Sequence, residues 1–264
     1  MYEKILIIAS KLDTAGINIT TQLSQFGNFD FYLVDKEIIF TENLDLEKIN
    51  SYDFIIFASK HKSESGGKTL SIHAPGNWRL AELGGEKEKV CRSSAQFQKQ
   101  LFEKIQENYD KYHMKEYKLT LEATHHGPLI NKPCIFVEIG STENEWKDRK
   151  AGFVIARAIS ETLKSLRENP YNETAIAIGG PHYCPNFNKI QLNSNIAISH
   201  IIPQYALPLT EEMVREAIDK TDEEVDFALL DWKGLGNSEK RQEVLDILSK
   251  LYINYKKTSE IDKL

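Results

Sequence analysis

Apolar residues along this chain fall into two patterns: short continuous runs, and longer stretches in which they recur every three or four positions. Residues 4–10 (KILIIAS), 53–59 (DFIIFAS) and 134–139 (CIFVEI) are continuous runs, the pattern of strands covered on both faces. Shorter runs predict strands at residues 31–34, 38–40, 69–73, 118–124, 174–178, 196–202 and 225–230. Phe97, Leu101, Phe102, Ile105 and Tyr109 mark one face of a helix over residues 94–112. Further helices are expected from Asp13 or Thr14 to about Phe26, from a Thr142/Glu145 capping box on to Leu166 with room for a break, from Thr210 to about Lys220, and from Ser238 to about Leu251.

Strands and helices alternate to the end without a linker or repeat, which predicts an α/β fold: one three-layer α/β/α domain over residues 1–264 on a mostly parallel mixed sheet. The runs at 4–10 and 53–59 are expected to pair in parallel. Residues 60–93 break the rhythm. They are polar and glycine-bearing around one short strand, turn at Pro75-Gly76-Asn77, and read as a long loop insertion beside an active site.

Histidines follow where the apolar runs stop. KLTLEATHHGP (residues 118–128) runs out into His125 and His126, His73 closes another run, and GGPHY (179–183) places His182 after a third. A parallel sheet gathers such strand ends at one edge, where ligands bind. Adjacent side chains on a regular strand point to opposite faces, so His125 and His126 converge only if the backbone leaves strand geometry, as Gly127 and Pro128 suggest. Glu122 shares that strand, and Glu138 sits in an apolar run where a carboxylate is costly without a partner. His61 and His113 read as surface residues and His200 as a satisfied core residue. A His/carboxylate cluster suits a hydrolytic zinc site, or a histidine base oriented by a carboxylate; spacing leaves both open.

Composition narrows the classes. The longest apolar runs fall far below the roughly 20 residues of a membrane helix, so no membrane is involved and a soluble, cytoplasmic protein is expected. Cys91, Cys134 and Cys184 form no CxxC pair, so neither a disulfide framework nor a thiolate zinc site is indicated. A net charge of −6 disfavours bulk coating of nucleic acid, although residues 60–99 carry a local basic excess. No GxSxG, GxxxxGK[ST] or GxGxxG follows a strand, which removes serine-hydrolase, P-loop and dinucleotide readings.

Taken in order, SIHAPGNW (71–78), THHGP (124–128), EIGST (138–142) and GGPHY (179–183) resemble the D-aminoacyl-tRNA deacylase family of archaea and plants. That resemblance implies hydrolysis of the ester joining a D-amino acid to the terminal ribose of tRNA, with Zn2+ as cofactor, a monomer, and a fold similar to peptidyl-tRNA hydrolases and nucleoside phosphorylases. For that reaction, His125, His126, His182 and Glu138 are the expected water-activating residues, as metal ligands or as a base and its partner. His73 is expected at the substrate, backbone N–H groups of Gly76, Asn77, Gly179 or Gly180 at the oxyanion, and Trp78 or Tyr183 stacked on the terminal base. The basic excess would meet acceptor-stem phosphates. The alternatives are another zinc hydrolase or peptidase, a nucleoside phosphorylase-like enzyme, or a non-catalytic RNA-binding domain.

Overall fold

In a computed structural model, which describes residues 2–42, 44, 46–64 and 66–261, the three continuous apolar runs lie side by side. They form β1 (Ile5–Ser10), β3 (Phe54–Lys62) and β6 (Cys134–Ser141), the centre of a six-stranded sheet completed by β2 (Asp30–Val34), β4 (Thr69–His73) and β5 (Lys118–Leu121) in the order β2-β1-β3-β6-β4-β5. Neighbours run parallel except that β4 is antiparallel to β6. The remaining strands, β7 (Glu173–Ile178), β8 (Ile196–Ile202), β9 (Phe227–Leu230) and β10 (Tyr255–Lys257), make a second, all-parallel sheet in the order β10-β9-β7-β8. The α/β class and the mostly parallel mixed sheet read from the sequence are present, with the strands divided between two sheets.

The helices are α1 (Thr14–Leu23), α2 (Leu46–Asn50), α3 (Ala95–Lys111), α4 (Glu143–Trp146), α5 (Arg149–Ser165), α6 (Pro185–Asn193), α7 (Glu211–Asp219) and α8 (Ser238–Lys250). Helices α1 and α3 both pack on α5, and the core under them takes Ile56 and Val137 from the first sheet and Ala177 and Leu229 from the second. The Thr142/Glu145 capping box forms at α4, and the chain re-caps at Asp148 to begin α5.

Strand alternation sorts the first sheet's side chains. Ile7, Ala9, Ile56, Ala58, Ile135 and Val137 enter the helix-covered core, while Leu6, Ile8, Ile55, Phe57, Cys134 and Phe136 enter a separate core on the other face. By the same alternation Ser59, His61 and Glu138 belong to the Phe57/Phe136 face.

Several elements differ from expectation. Residues 38–40 form a 3-10 turn closed by Thr41 Oγ1 donating to Ile38 O at 2.6 Å, not a strand. β5 stops at Leu121 instead of Thr124, and β3 runs to Lys62, beyond its apolar residues. The stretch around residues 60–93 is only partly loop: β4 is buried throughout between β6 and β5, and Val90 and Cys91 are fully buried. Ser65 lies outside the described residues.

Helix α1 lies close on the sheet because Gly16 allows it; a Cβ there would come within 2.5 Å of Ala58 O. Alanine is normally the better helix former, by about 1 kcal/mol. Here the clash reverses that preference, so Gly16→Ala should lower unfolding free energy by about 1–3 kcal/mol in urea titrations, whereas an unchanged or raised midpoint would contradict this close packing.

Candidate active site

Beyond Leu121 the chain leaves β5 and crosses between the sheets. Glu122 N donates to Ile72 O in the first sheet (3.0 Å), then Ala123 N to His182 O in the turn after β7 (2.8 Å) and Thr124 N to Ile201 O in the second sheet (3.1 Å). Glu122 is thereby fixed beside both sheets, and the following residues are free of strand alternation. His126 takes a left-handed backbone with φ of 44°, and both His125 and His126 turn into one cluster.

The cluster contains His61 from β3, His73 from β4, His125, His126, His182, Glu122 and Glu138. His73 stacks on Phe136, with ring centroids 5.2 Å apart, and lies 4.2 Å from His125 and 4.8 Å from His126 by the same measure. Because β4 runs antiparallel to β6, His73 lies level with Phe136, and the cluster therefore sits against the face of β6 that carries Phe136 and Glu138. The four histidines expected at strand ends, His73, His125, His126 and His182, do come together, although β4 reaches the cluster antiparallel to β6 and not along one parallel edge.

Hydrogen bonds divide the histidines into two kinds. Nδ1 of His73, His125 and His126 contacts backbone carbonyls of Ala74 (3.2 Å), Ala123 (2.8 Å) and Gly127 (2.7 Å). A carbonyl only accepts, so each Nδ1 carries the hydrogen and each Nε2 faces inward. His73 Nε2 is buried without a hydrogen-bond partner, and the ligand atoms of this trio lie within 4.8 Å of one another. His61 and His182 instead join side chains. His61 Nδ1 lies 3.2 Å from Glu122 and 3.6 Å from Glu138, with its Nε2 2.9 Å from the Tyr183 hydroxyl. His182 Nε2 lies 3.2 Å from Glu122, with its Nδ1 3.2 Å from the Tyr205 hydroxyl.

Charge follows from these contacts. Burial acts against ionising Glu122, but hydrogen bonds with His182 and His61 outweigh it and hold the carboxyl well below its usual range; Glu138 is likewise lowered against its burial, by His61. Burial also opposes protonation of His61, yet hydrogen bonds to Glu122 and Glu138 raise it to about 11. Burial and the neighbouring His73 push His125 well below the ordinary histidine value and His126 down to about 4. At neutral pH the centre thus holds two carboxylates, the His61 imidazolium and inward lone pairs, an excess of negative charge and donors that suits a cation.

The cluster opens into a cleft of about 490 Å3 whose other lining includes Ser10, Leu12, Asp13, the 38–40 turn, Lys60, Lys62 and Leu83. A separate depression of about 600 Å3, lined by Tyr2, Gln96, Arg167 and Asp222, contains none of the clustered residues. The structure brings together His73, His125, His126, His182 and Glu138 from the sequence-based set, and adds His61 and Glu122. His61 is 7% exposed, not a surface residue, because β3 continues past its apolar run and points it inward between Lys60 and Lys62. That alternation was the signal available in the sequence.

Other expected roles meet different surroundings. The backbone N–H groups considered for an oxyanion are already spent: Gly76 on His126 O, Asn77 on Lys89 O, Gly179 on Ile202 O and Gly180 on Gly234 O. Trp78 is 5% exposed, with its indole N–H donating to Ile201 O, so it packs and offers no face to a base. Tyr183 supports His61 through its hydroxyl. The basic excess over residues 60–99 is largely neutralised, with Lys68 paired to Glu116, Lys87 to Glu88, Lys89 to Glu216 and Arg92 to Asp222, while Lys99 is fully buried. Lys60, 3.5 Å from Glu37, and Lys62 are the two that line the cleft.

His200 stays apart from the cluster, fully buried, its Nδ1 against Thr124 Oγ1 and its Nε2 donating to Lys220 O. Burial pushes it down to about 4 from an ordinary 6.5, so between those values the unfolded chain takes up a proton that the folded chain excludes. Its contribution is therefore intact above about pH 6.5 and lost as pH falls toward 4. Comparing unfolding free energies at pH 7 and pH 4.5, His200→Gln should show a loss shallower than wild type by up to about 3 kcal/mol; equal losses would contradict the assignment.

A family model described as D-aminoacyl-tRNA deacylase matches residues 48–256. Among similar curated proteins, the D-aminoacyl-tRNA deacylase of Methanocaldococcus jannaschii is 36% identical over 249 residues, covering 90% of this chain and 94% of that protein. Those of Thermococcus onnurineus and Archaeoglobus fulgidus are 35% and 33% identical, covering 87% and 89% of this chain and 91% and 90% of theirs. Among solved structures, a conserved protein of unknown function, AF0625, superposes with a TM-score of 0.89 at 29% identity, over 99% of this chain and 98% of that one.

Proposed function

Because the chain belongs to the D-aminoacyl-tRNA deacylase family, we propose that it hydrolyses the ester between a D-amino acid and the terminal ribose of tRNA at the histidine cluster. The observation that carries the reading is the trio of imidazoles whose Nδ1–H groups are anchored on backbone carbonyls and whose Nε2 atoms face two buried carboxylates. Water adds to the ester carbonyl carbon, the bond to the ribose oxygen breaks, and that oxygen takes a proton, releasing the D-amino acid and the tRNA.

The donor set of imidazole nitrogen and carboxylate oxygen, with His73 Nε2 unpartnered, fits Zn2+. The trio His73, His125 and His126, with Glu138 3.8 Å from His73 Nε2 and 4.0 Å from His126 Nε2, would hold it, and it would supply a water acidic enough to attack near neutral pH. This replaces the earlier expected set in two respects: His73 moves from substrate contact to ligand, and His182 moves from ligand to proton handling. Glu122 orients His182 through Nε2, and Tyr205 contacts its Nδ1. His182 lines the cleft, so it is the residue we assign to protonate the leaving ribose oxygen. The reading extends to a monomer acting in the cytoplasm, where its tRNA substrate is found; among the described residues, no helix is long and apolar enough to cross a membrane.

Purified protein should release D-tyrosine from D-tyrosyl-tRNA at least about 100-fold faster than L-tyrosine from L-tyrosyl-tRNA, a discrimination of about 2.7 kcal/mol. Equal rates, or none on either, would contradict the assignment. Elemental analysis should find zinc in protein purified without added metal, and prolonged chelation should abolish deacylation until zinc is restored. Full activity in metal-free protein would overturn the zinc reading and leave a histidine base acting directly on water.

A further inference from the structure

With Trp78 packed away, the surface that receives the terminal base must lie elsewhere on the cleft, and Phe40 is the one aromatic residue other than histidine on its lining among the described residues. Resting on the deacylase reading, we infer that the apolar shelf of Leu12, Phe40 and Leu83 seats the 3′-terminal adenine of the tRNA, with Phe40 as the stacking face. All three side chains line the cleft, yet they are 62%, 44% and 53% exposed. Apolar surface left open beside a polar reaction centre is the usual mark of a ligand-contacting wall.

The shelf is built onto the histidine loop. Gly127, next to His126, donates its N–H to Leu83 O at 2.9 Å, and a Cβ at Gly127 would fall within 2.3 Å of Gly85 N and 2.7 Å of Ile39 O. Only a residue without a side chain lets the 38–40 turn, the 83–85 segment and the histidine loop meet this closely. The distance from shelf to cluster is therefore set by backbone contact, as a site must be if it is to hold a base while the adjoining ester reaches the histidines.

Charge fixes which part of the substrate goes there. Glu37 begins the turn that carries Phe40, and Lys60 lies 3.5 Å from it, with Lys62 two residues further along β3 on the same cleft. The terminal nucleotide is joined to the rest of the tRNA through its 5′-phosphate, while the ester sits on its 2′/3′ side, so its base belongs on the lysine side and the amino acid on the other. Phe40 thus meets the nucleoside, not the acyl group.

Two measurements on the full chain test this. In steady-state hydrolysis of D-tyrosyl-tRNA, Phe40→Ala should raise KM with kcat within about twofold, lowering kcat/KM between about fivefold and 150-fold, while Phe40→Tyr stays within about twofold of wild type. In calorimetric titration, adenosine 5′-monophosphate should bind the wild type and bind Phe40→Ala more weakly by a similar factor. Because Phe40 is partly exposed, the variant should melt at the wild-type temperature. Unchanged KM overturns the inference, and so does a raised KM with unchanged nucleotide affinity, which would put Phe40 against the amino acid. Nucleotide binding that depends on Phe40, in a protein that leaves D-tyrosyl-tRNA intact, would support the shelf while rejecting the deacylase reading.

Discussion

Two carboxylates buried side by side impose the central constraint on this structure. Glu122 and Glu138 are 1% and 2% exposed, at a cost that would protonate or expel an unaccompanied pair. Five imidazoles answer it in two ways. His61 carries a proton between the two carboxylates, and His182 bonds to Glu122 from the cleft side. The other three are locked by backbone carbonyls into the tautomer that presents lone pairs, adding donors where further protons would be disfavoured. Such a centre is compensated most fully when a cation joins it.

The fold exists in a form that keeps this centre assembled. The segment from Glu122 to His126 is bonded to β4 on one side and to the β7 turn and β8 on the other, so the two sheets meet where the chemistry is. The reversed direction of β4 brings His73 under Glu138, against Phe136. Gly127 then ties the same loop to the apolar shelf, which makes the distance between reaction centre and cleft wall a property of the backbone and not of mobile side chains.

Much of this was legible in the sequence. Continuous apolar runs identified the three central strands, histidines following apolar runs identified four of the seven clustered residues, and a carboxylate inside an apolar run identified a fifth, Glu138. What was not legible depends on pairing. His61 looked like surface because its strand extends through polar residues; the alternation of Lys60, His61 and Lys62 was a faint signal, and the register of β3 against β6, Ser59 opposite Glu138, shows the extension. Trp78 and the glycine N–H groups looked available because a motif does not reveal what its atoms already bond. The basic stretch likewise lost its meaning once partners distant in sequence, such as Glu216 and Asp222, were seen beside it. Phe40 belongs to a short apolar run that reads as a strand but folds as a 3-10 turn, so its place on the cleft emerges only from the folded chain.

In the function proposed above, the buried histidine and glutamate side chains would hold zinc without sulfur. X-ray absorption at the zinc edge, on protein loaded with one equivalent of zinc, tests it most directly. The expected spectrum has a first shell of nitrogen and oxygen alone, with the outer-shell scattering of several imidazoles, and loses that imidazole signal in part when His73 is replaced by alanine. A shell containing sulfur, or a spectrum of hydrated zinc free in solution, would contradict it.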